Sequence, residues 1–214
     1  PASSSARTAC PSRGGGASVV RRCRSRSEEK ARRFPPTDIS RASCEMATDD
    51  HMKVTAVGLP SGALSATFGR YELENGQHIE DVVLGYSTYG TLNETGDNAV
   101  IVGHSLTSNS NVSEWWSELM GEGDACALDL ANEFVVCVNY LASPYGSSSP
   151  VTPDPGKQNG ESYAADFPTP VTVRDNVRLQ RLLLDRLGVR HLRLAIGGSM
   201  GSMLALEWAA TFPD

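Results

Sequence analysis

Ser199 stands at the centre of Gly197-Gly198-Ser199-Met200-Gly201, a G-x-S-x-G pentapeptide. A serine hydroxyl is a poor nucleophile until a base takes its proton, so this pattern concerns access and charge before reactivity. The apolar alternation of Leu192, Leu194 and Ile196 predicts a strand leading in. Leu204, Ala205, Trp208, Ala209 and Phe212 predict a helix leading out. Flanking glycines let strand and helix backbones approach, so the bend is sharp and the hydroxyl is lifted clear of the sheet. The first amides of the helix then converge on one point, where the Met200 N–H can stabilise a developing oxyanion. A glycine-rich turn that merely tightens packing would share these residues. A phosphate loop would need G-x-x-x-x-G-K-[ST] or G-x-G-x-x-G, and neither occurs.

Such an elbow requires a second oxyanion donor from the loop after an earlier strand. "VIVGHSLTSNS" follows the apolar run of residues 99–102, and the Leu106 N–H is the candidate. His104 in that stretch reads as a loop-anchoring residue before it reads as a catalytic one. In elbow enzymes the acid and the base follow the serine in the order Asp/Glu, then His. All four histidines, His51, His78, His104 and His191, precede Ser199, and only fifteen residues follow it. Asp214 is too near in sequence to be the acid. The expectation is a chain truncated at its C-terminus after the nucleophile helix, lacking two of three catalytic groups. "HLRLAIG" would then be an exposed apolar edge.

The elements that must position these groups are legible in outline. Residues 65–73 and 78–89 predict two strands around a turn at Glu74-Asn75-Gly76. Residues 99–102 and "NEFVVCVNYL" predict strands buried on both faces, the latter broken by Asn139. "VSEWWSELMG" predicts a short helix. "ASPYGSSSPVTPDPGKQNGESYAADFPTP" is a long Pro- and Gly-containing loop of the kind that lines a site or moves. "TVRDNVRLQRLLLDRLGV" places Val173, Val177, Leu184 and Leu187 on one helix face, with Asp175 in the first turn and Gly188 at the stop. Alternating strand and helix with apolar strands mean an α/β fold with a mainly parallel sheet.

The chain has 214 residues and a net charge of −6. Residues 1–48 carry ten basic and four acidic residues, and residues 49–214 carry nine and twenty-one. The acidic main body argues against nucleic acid as a partner. The apolar runs are of strand length, so no membrane span is expected. The basic lead is rich in Ser, Arg, Gly and Pro and should be disordered, as a tail, a translated leader before Met46, or a transit peptide. The five cysteines show no CxxC or Cys/His metal spacing, so no metal is expected. Cys137 should pack as a small apolar residue in a reducing compartment.

"YGTLNETGDNAVIVGHSLT", Trp115-Trp116, "LASPYGSSSPVTPDPGK", "FPTPVTVRDNVRLQ", "LLDRLGV" and "IGGSMGSMLALEWA" occur in this order from about Tyr71 onward. Together they resemble the homoserine O-acetyltransferase family of α/β-hydrolase-fold acyltransferases. The resemblance implies that residues 49–214 are the N-terminal portion of such a domain. It makes Ser199 the acyl-accepting nucleophile, with Leu106 and Met200 as oxyanion amides. The implied substrates are acetyl-CoA and L-homoserine, with no separate cofactor, and the family's Asp and His would lie beyond residue 214. The resemblance also leaves room for a homodimer, and for a cytoplasmic location, or an organellar one if the lead is a transit peptide.

Three departures stand out: "HSLTS" for the family's usual "HALTG", Ser202 for a glycine, and "SPYG" for the commoner "SCYG". Ser105 and Ser202 are expected to bear on the shape of the acyl pocket. Trp115, Trp116 and the long loop either wall the site or serve packing. Arg174 and Arg178 either form a solvated helix face or contact a carboxylate or a CoA phosphate. Alternatives on the same fold are a serine esterase, a relative using succinyl donors or serine as acceptor, and a catalytically inactive fragment.

Overall fold

The computed structural model describes residues 57–123 and 125–213. The basic lead, read above as disordered, lies outside the described residues. The elements are β1 (Leu64–Thr67), β2 (Tyr71–Glu72), β3 (His78–Ile79), β4 (Val83–Tyr89), β5 (Ala99–Gly103), α1 (Val112–Trp115), β6 (Met120–Gly121), β7 (Leu128–Asp129), β8 (Phe134–Val138), α2 (Val173–Arg186), β9 (Leu192–Gly197) and α3 (Met200–Thr211). The central sheet runs β1-β4-β8-β5-β9. The pairs β8/β5 and β5/β9 are parallel, and β1 and β4 extend the β8 side in antiparallel fashion. This is the expected α/β class. Among the described residues no helix is long and apolar enough to cross a membrane.

Both faces of the parallel strands are dry. Ala99, Ile101, Val136 and Val138 face the cluster that includes Val177, Leu183, Leu184, Leu204 and Trp208 of α2 and α3. Val100, Val102, Val135 and Cys137 face the opposite cluster with Val112, Leu128 and the Trp115–Trp116 pair. A strand whose two alternating sets of side chains are both apolar needs cover on both sides, which is why these runs read as continuous rather than alternating. Cys137 is fully buried, as expected of a packing residue, and burial raises its thiol pKa far above the ordinary range.

Helix α2 forms as its sequence predicts. The Thr172 hydroxyl accepts from the Asp175 N–H, Asp175 reaches back to the Thr172 N–H, and Gly188 ends the helix at φ +87°. Two expectations need correction. Residues 65–73 and 78–89 each divide in two, because the chain bends near Asp81 (φ 46°) and passes from the main sheet into the separate β2–β3 ribbon. The "VSEWWSELMG" helix is only one turn, followed by a 3-10 turn at Ser117–Leu119. The long loop, expected to line a site or move, is stitched to β4: the Ser148 and Ser147 hydroxyls accept the Val83 and Gly85 N–H groups at 2.9 and 3.1 Å.

Candidate active site

The parallel strands β8, β5 and β9 end side by side, with Gly103 paired to Gly197. Their carboxyl ends release the three segments that build the site, the usual place for ligands in an α/β sheet. At the β9–α3 bend Ser199 adopts φ 56° and ψ −123°, outside the regions favoured by an L-residue, and it is exposed. Such a conformation costs on the order of 1–3 kcal/mol and persists only where neighbouring structure imposes it.

That imposition comes from three glycines packed backbone to backbone. A Cβ on Gly201 would lie 1.9 Å from the Gly103 carbonyl oxygen. One on Gly197 would lie 2.4 Å from the Gly201 carbonyl, and one on Gly103 would lie 2.7 Å from the Gly201 Cα. Gly197 and Gly201 therefore have a steric reason to be glycine, the close approach expected of the elbow. Gly103 completes the contact, and sequence reasoning passed over it. Gly198 has room, its nearest neighbour being Trp116 Cζ2 at 3.8 Å.

Leu106 and Met200 line one cavity of about 350 Å³, whose wall also includes Tyr140, Leu141, Pro144 and Asn176 and holds no charged side chain. Neither the Leu106 nor the Met200 N–H is engaged by another described residue, so both are free to donate. Met200 opens α3, where the helix dipole adds positive potential beside Ser199. The Ser202 hydroxyl donates to the Ser199 carbonyl at 2.6 Å, and the Ser105 hydroxyl bonds Ser108 at 2.7 Å. Neither lines the cavity, so the serines at these two positions act on backbone and loop rather than on pocket shape.

The histidines divide clearly. His104 is fully buried, its Nδ1–H donating to the Ser105 carbonyl at 2.7 Å and its ring stacked on Tyr140 with centroids 4.1 Å apart. Desolvation lowers its pKa, leaving a neutral imidazole whose role is anchoring. His78 pairs with Glu80 at 3.3 Å on β3, and the His191 N–H bonds the Gly96 carbonyl before β9. None of these three bonds Ser199.

Arg174 is held by Glu207 at 2.6 Å and by Glu74 at 3.3 Å, and Arg178 is exposed on the same helix. The cavity wall contains neither arginine. Trp115 donates from Nε1 to the Asn109 carbonyl at 3.0 Å and packs on Trp116, which in turn lies against Gly198. The tryptophan pair thus packs the sheet face beneath the elbow. Of the long loop, only the opening residues, Ala142, Ser143 and Pro144, and its far end at Thr169 reach the cavity.

No family model matches the chain. It is 54% identical over 142 residues to a homoserine O-acetyltransferase of Salinibacter ruber, covering 66% of this chain and 39% of that protein. It is 46% identical over 140 residues to the homoserine O-acetyltransferase of Saccharomyces cerevisiae, covering 65% of this chain and 28% of that protein. The chain therefore spans between 28% and 39% of the length of these curated relatives. Among solved structures, a homoserine O-acetyltransferase from Bacillus anthracis matches 71% of this chain and 43% of its own at 32% identity, TM-score 0.63. Esterase E22 matches 71% of this chain and 44% of its own at 30% identity, also with TM-score 0.63. Over the stretch it shares with them, this chain is homologous to the homoserine O-acetyltransferases and has the α/β-hydrolase fold.

Proposed function

We propose that this chain carries the nucleophile and the oxyanion hole of an enzyme that moves an acetyl group from acetyl-CoA to the hydroxyl of L-homoserine. One observation carries the reading: Ser199 is exposed on a strained bend, and the next residue, Met200, lines a cavity together with Leu106, both with amides that no described residue engages. Ser199 Oγ attacks the thioester carbonyl while a base takes its proton. The base lies outside the described residues, since none of the described histidines bonds Ser199. The tetrahedral oxyanion rests on the Leu106 and Met200 amides, each donor contributing about 2.7–4 kcal/mol of transition-state stabilisation. The C–S bond breaks and CoA leaves as the thiol with the proton held by the base. The homoserine hydroxyl then attacks the acyl-enzyme, its proton passes to the base and on to Ser199 Oγ, and O-acetylhomoserine departs. The uncharged cavity wall suits a short neutral acyl group, because an unpaired carboxylate there would lose its hydration.

Hydrolysis is the second reading, with water as the acceptor, and it is favoured by the equal structural likeness to esterase E22. The test follows CoA release by the protein that contains this chain, with and without homoserine, for wild type and Ser199→Ala. Release that depends on homoserine and vanishes in the variant supports transfer. Release indifferent to homoserine but lost in the variant supports hydrolysis. Activity surviving Ser199→Ala overturns both.

A further inference from the structure

Asn139 follows β8 directly and breaks the apolar run that the strand begins, and no catalytic step uses it. It is fully buried, and every polar group it owns is engaged. Its N–H donates to the Gly85 carbonyl at 2.8 Å, and its carbonyl accepts from the Ser147 hydroxyl at 2.6 Å. Its side-chain Oδ1 accepts from the Ser110 N–H at 2.7 Å, and Nδ2 donates to Ser110 Oγ at 3.1 Å and to the Tyr145 carbonyl at 2.6 Å. The amide orientation is unambiguous, because a backbone N–H can only donate and a carbonyl can only accept.

The next residue, Tyr140, donates its hydroxyl to the His104 carbonyl at 2.6 Å and stacks on the His104 ring. Two consecutive residues at the exit of β8 thus grip a single segment at both ends, His104 at its start and Ser110 at its finish. Leu106 lies between the two grips, and its own N–H has no partner among the described residues to hold it in place.

We propose that Asn139 and Tyr140 form a clamp that positions the Leu106 amide opposite the Met200 amide, making both positioning residues for acyl transfer. This rests on the reading of Leu106 as an oxyanion donor. A loop tethered at one end samples many amide directions, whereas one tethered at both ends and closed by the Ser108 N–H on the Ser105 carbonyl at 3.1 Å is narrowed to few. Preorganised donors stabilise a transition state because they need not reorient as charge develops.

The test uses Tyr140→Phe, which keeps the ring and removes one hydrogen bond, and Asn139→Ala, which removes the other grip. Acetyl-transfer kinetics and amide hydrogen exchange are measured on the protein containing this chain. The expected result is a fall in kcat of about tenfold to a hundredfold with KM for the acetyl donor unchanged. The Ser108 amide, bonded to neither clamp residue, should exchange at least about tenfold faster in Tyr140→Phe while amides of β5 and β8 keep their protection. Unchanged Ser108 exchange overturns the clamp, as does faster exchange with unaltered kcat. If Asn139→Ala does not fold, Tyr140→Phe decides alone. If wild type and Ser199→Ala are equally inactive, the acyl-transfer reading fails by itself, and the exchange result still decides whether the clamp holds the loop.

Discussion

Replacing Gly201 with alanine places a methyl group where the structure has no space for one. The new Cβ would stand 1.9 Å from the Gly103 oxygen, 2.4 Å from its carbonyl carbon and 3.0 Å from its Cα. All three are backbone atoms of β5, which is hydrogen-bonded on both sides by β8 and β9, so no rotamer change relieves the clash. Restoring an ordinary contact requires the N-terminus of α3 to withdraw by roughly 1.5 Å. Overpacking of this kind costs about 1–3 kcal/mol. For a domain of this size that lowers Tm by roughly 3–10 °C. The same withdrawal moves the Met200 amide away from the proposed oxyanion position, and a displacement of about 1 Å already costs about a hundredfold in rate. Gly198→Ala is the matched control, since its nearest neighbour would be Trp116 Cζ2 at an ordinary 3.8 Å. Thermal denaturation and acetyl-transfer rates measured on both variants decide the matter. If Gly201→Ala melts and turns over like Gly198→Ala, the close-packed elbow is wrong.

Other consequences follow from single groups. Asp175→Ala removes the acceptor of the Glu74 N–H at 2.8 Å and of the Thr172 N–H at 2.9 Å, the latter being the carboxylate half of the capping box, and should cost about 2–3 kcal/mol by urea titration. Burial holds the His104 pKa below its ordinary 6.5, so below that pH the unfolded chain binds a proton that the native chain refuses. The contribution of His104 is therefore complete above 6.5 and is lost as pH falls through the lowered native value, so the acid-side fall in urea midpoint should shrink in His104→Phe. Met203 and Leu206 on α3 are 60% and 71% exposed, and Leu194 on edge strand β9 is 41% exposed. Exposed apolar side chains of this kind predict that the chain self-associates in light scattering and that the Met203→Glu, Leu206→Glu double variant does so less; a chain that stays monomeric, or an unchanged profile in the variant, refutes this.

The elbow was readable because its signals are local. Strand alternation, helix periodicity and small residues at fixed offsets all fall within residues 192–212, and each needs only the neighbouring backbone to act. The capping box of α2 and its glycine stop were readable for the same reason. The splitting of the first two strands was not, because a bend near Asp81 is decided by what β4 and the β2–β3 ribbon each pack against.

The sequence by itself determined the α/β class and the small-residue bend between strand and helix, and it singled out Ser199, Leu106 and Met200 as the groups proposed for the chemistry. Tertiary structure alone decided that Gly103 belongs to the elbow, that Arg174 is held by two glutamates, and that Asn139 and Tyr140 grip the loop of Leu106. Those facts join residues some thirty to a hundred positions apart in the chain. Such contacts leave no periodic trace in either segment, because neither partner's local conformation requires them. Only the alignment of β8, β5 and β9 brings their ends together.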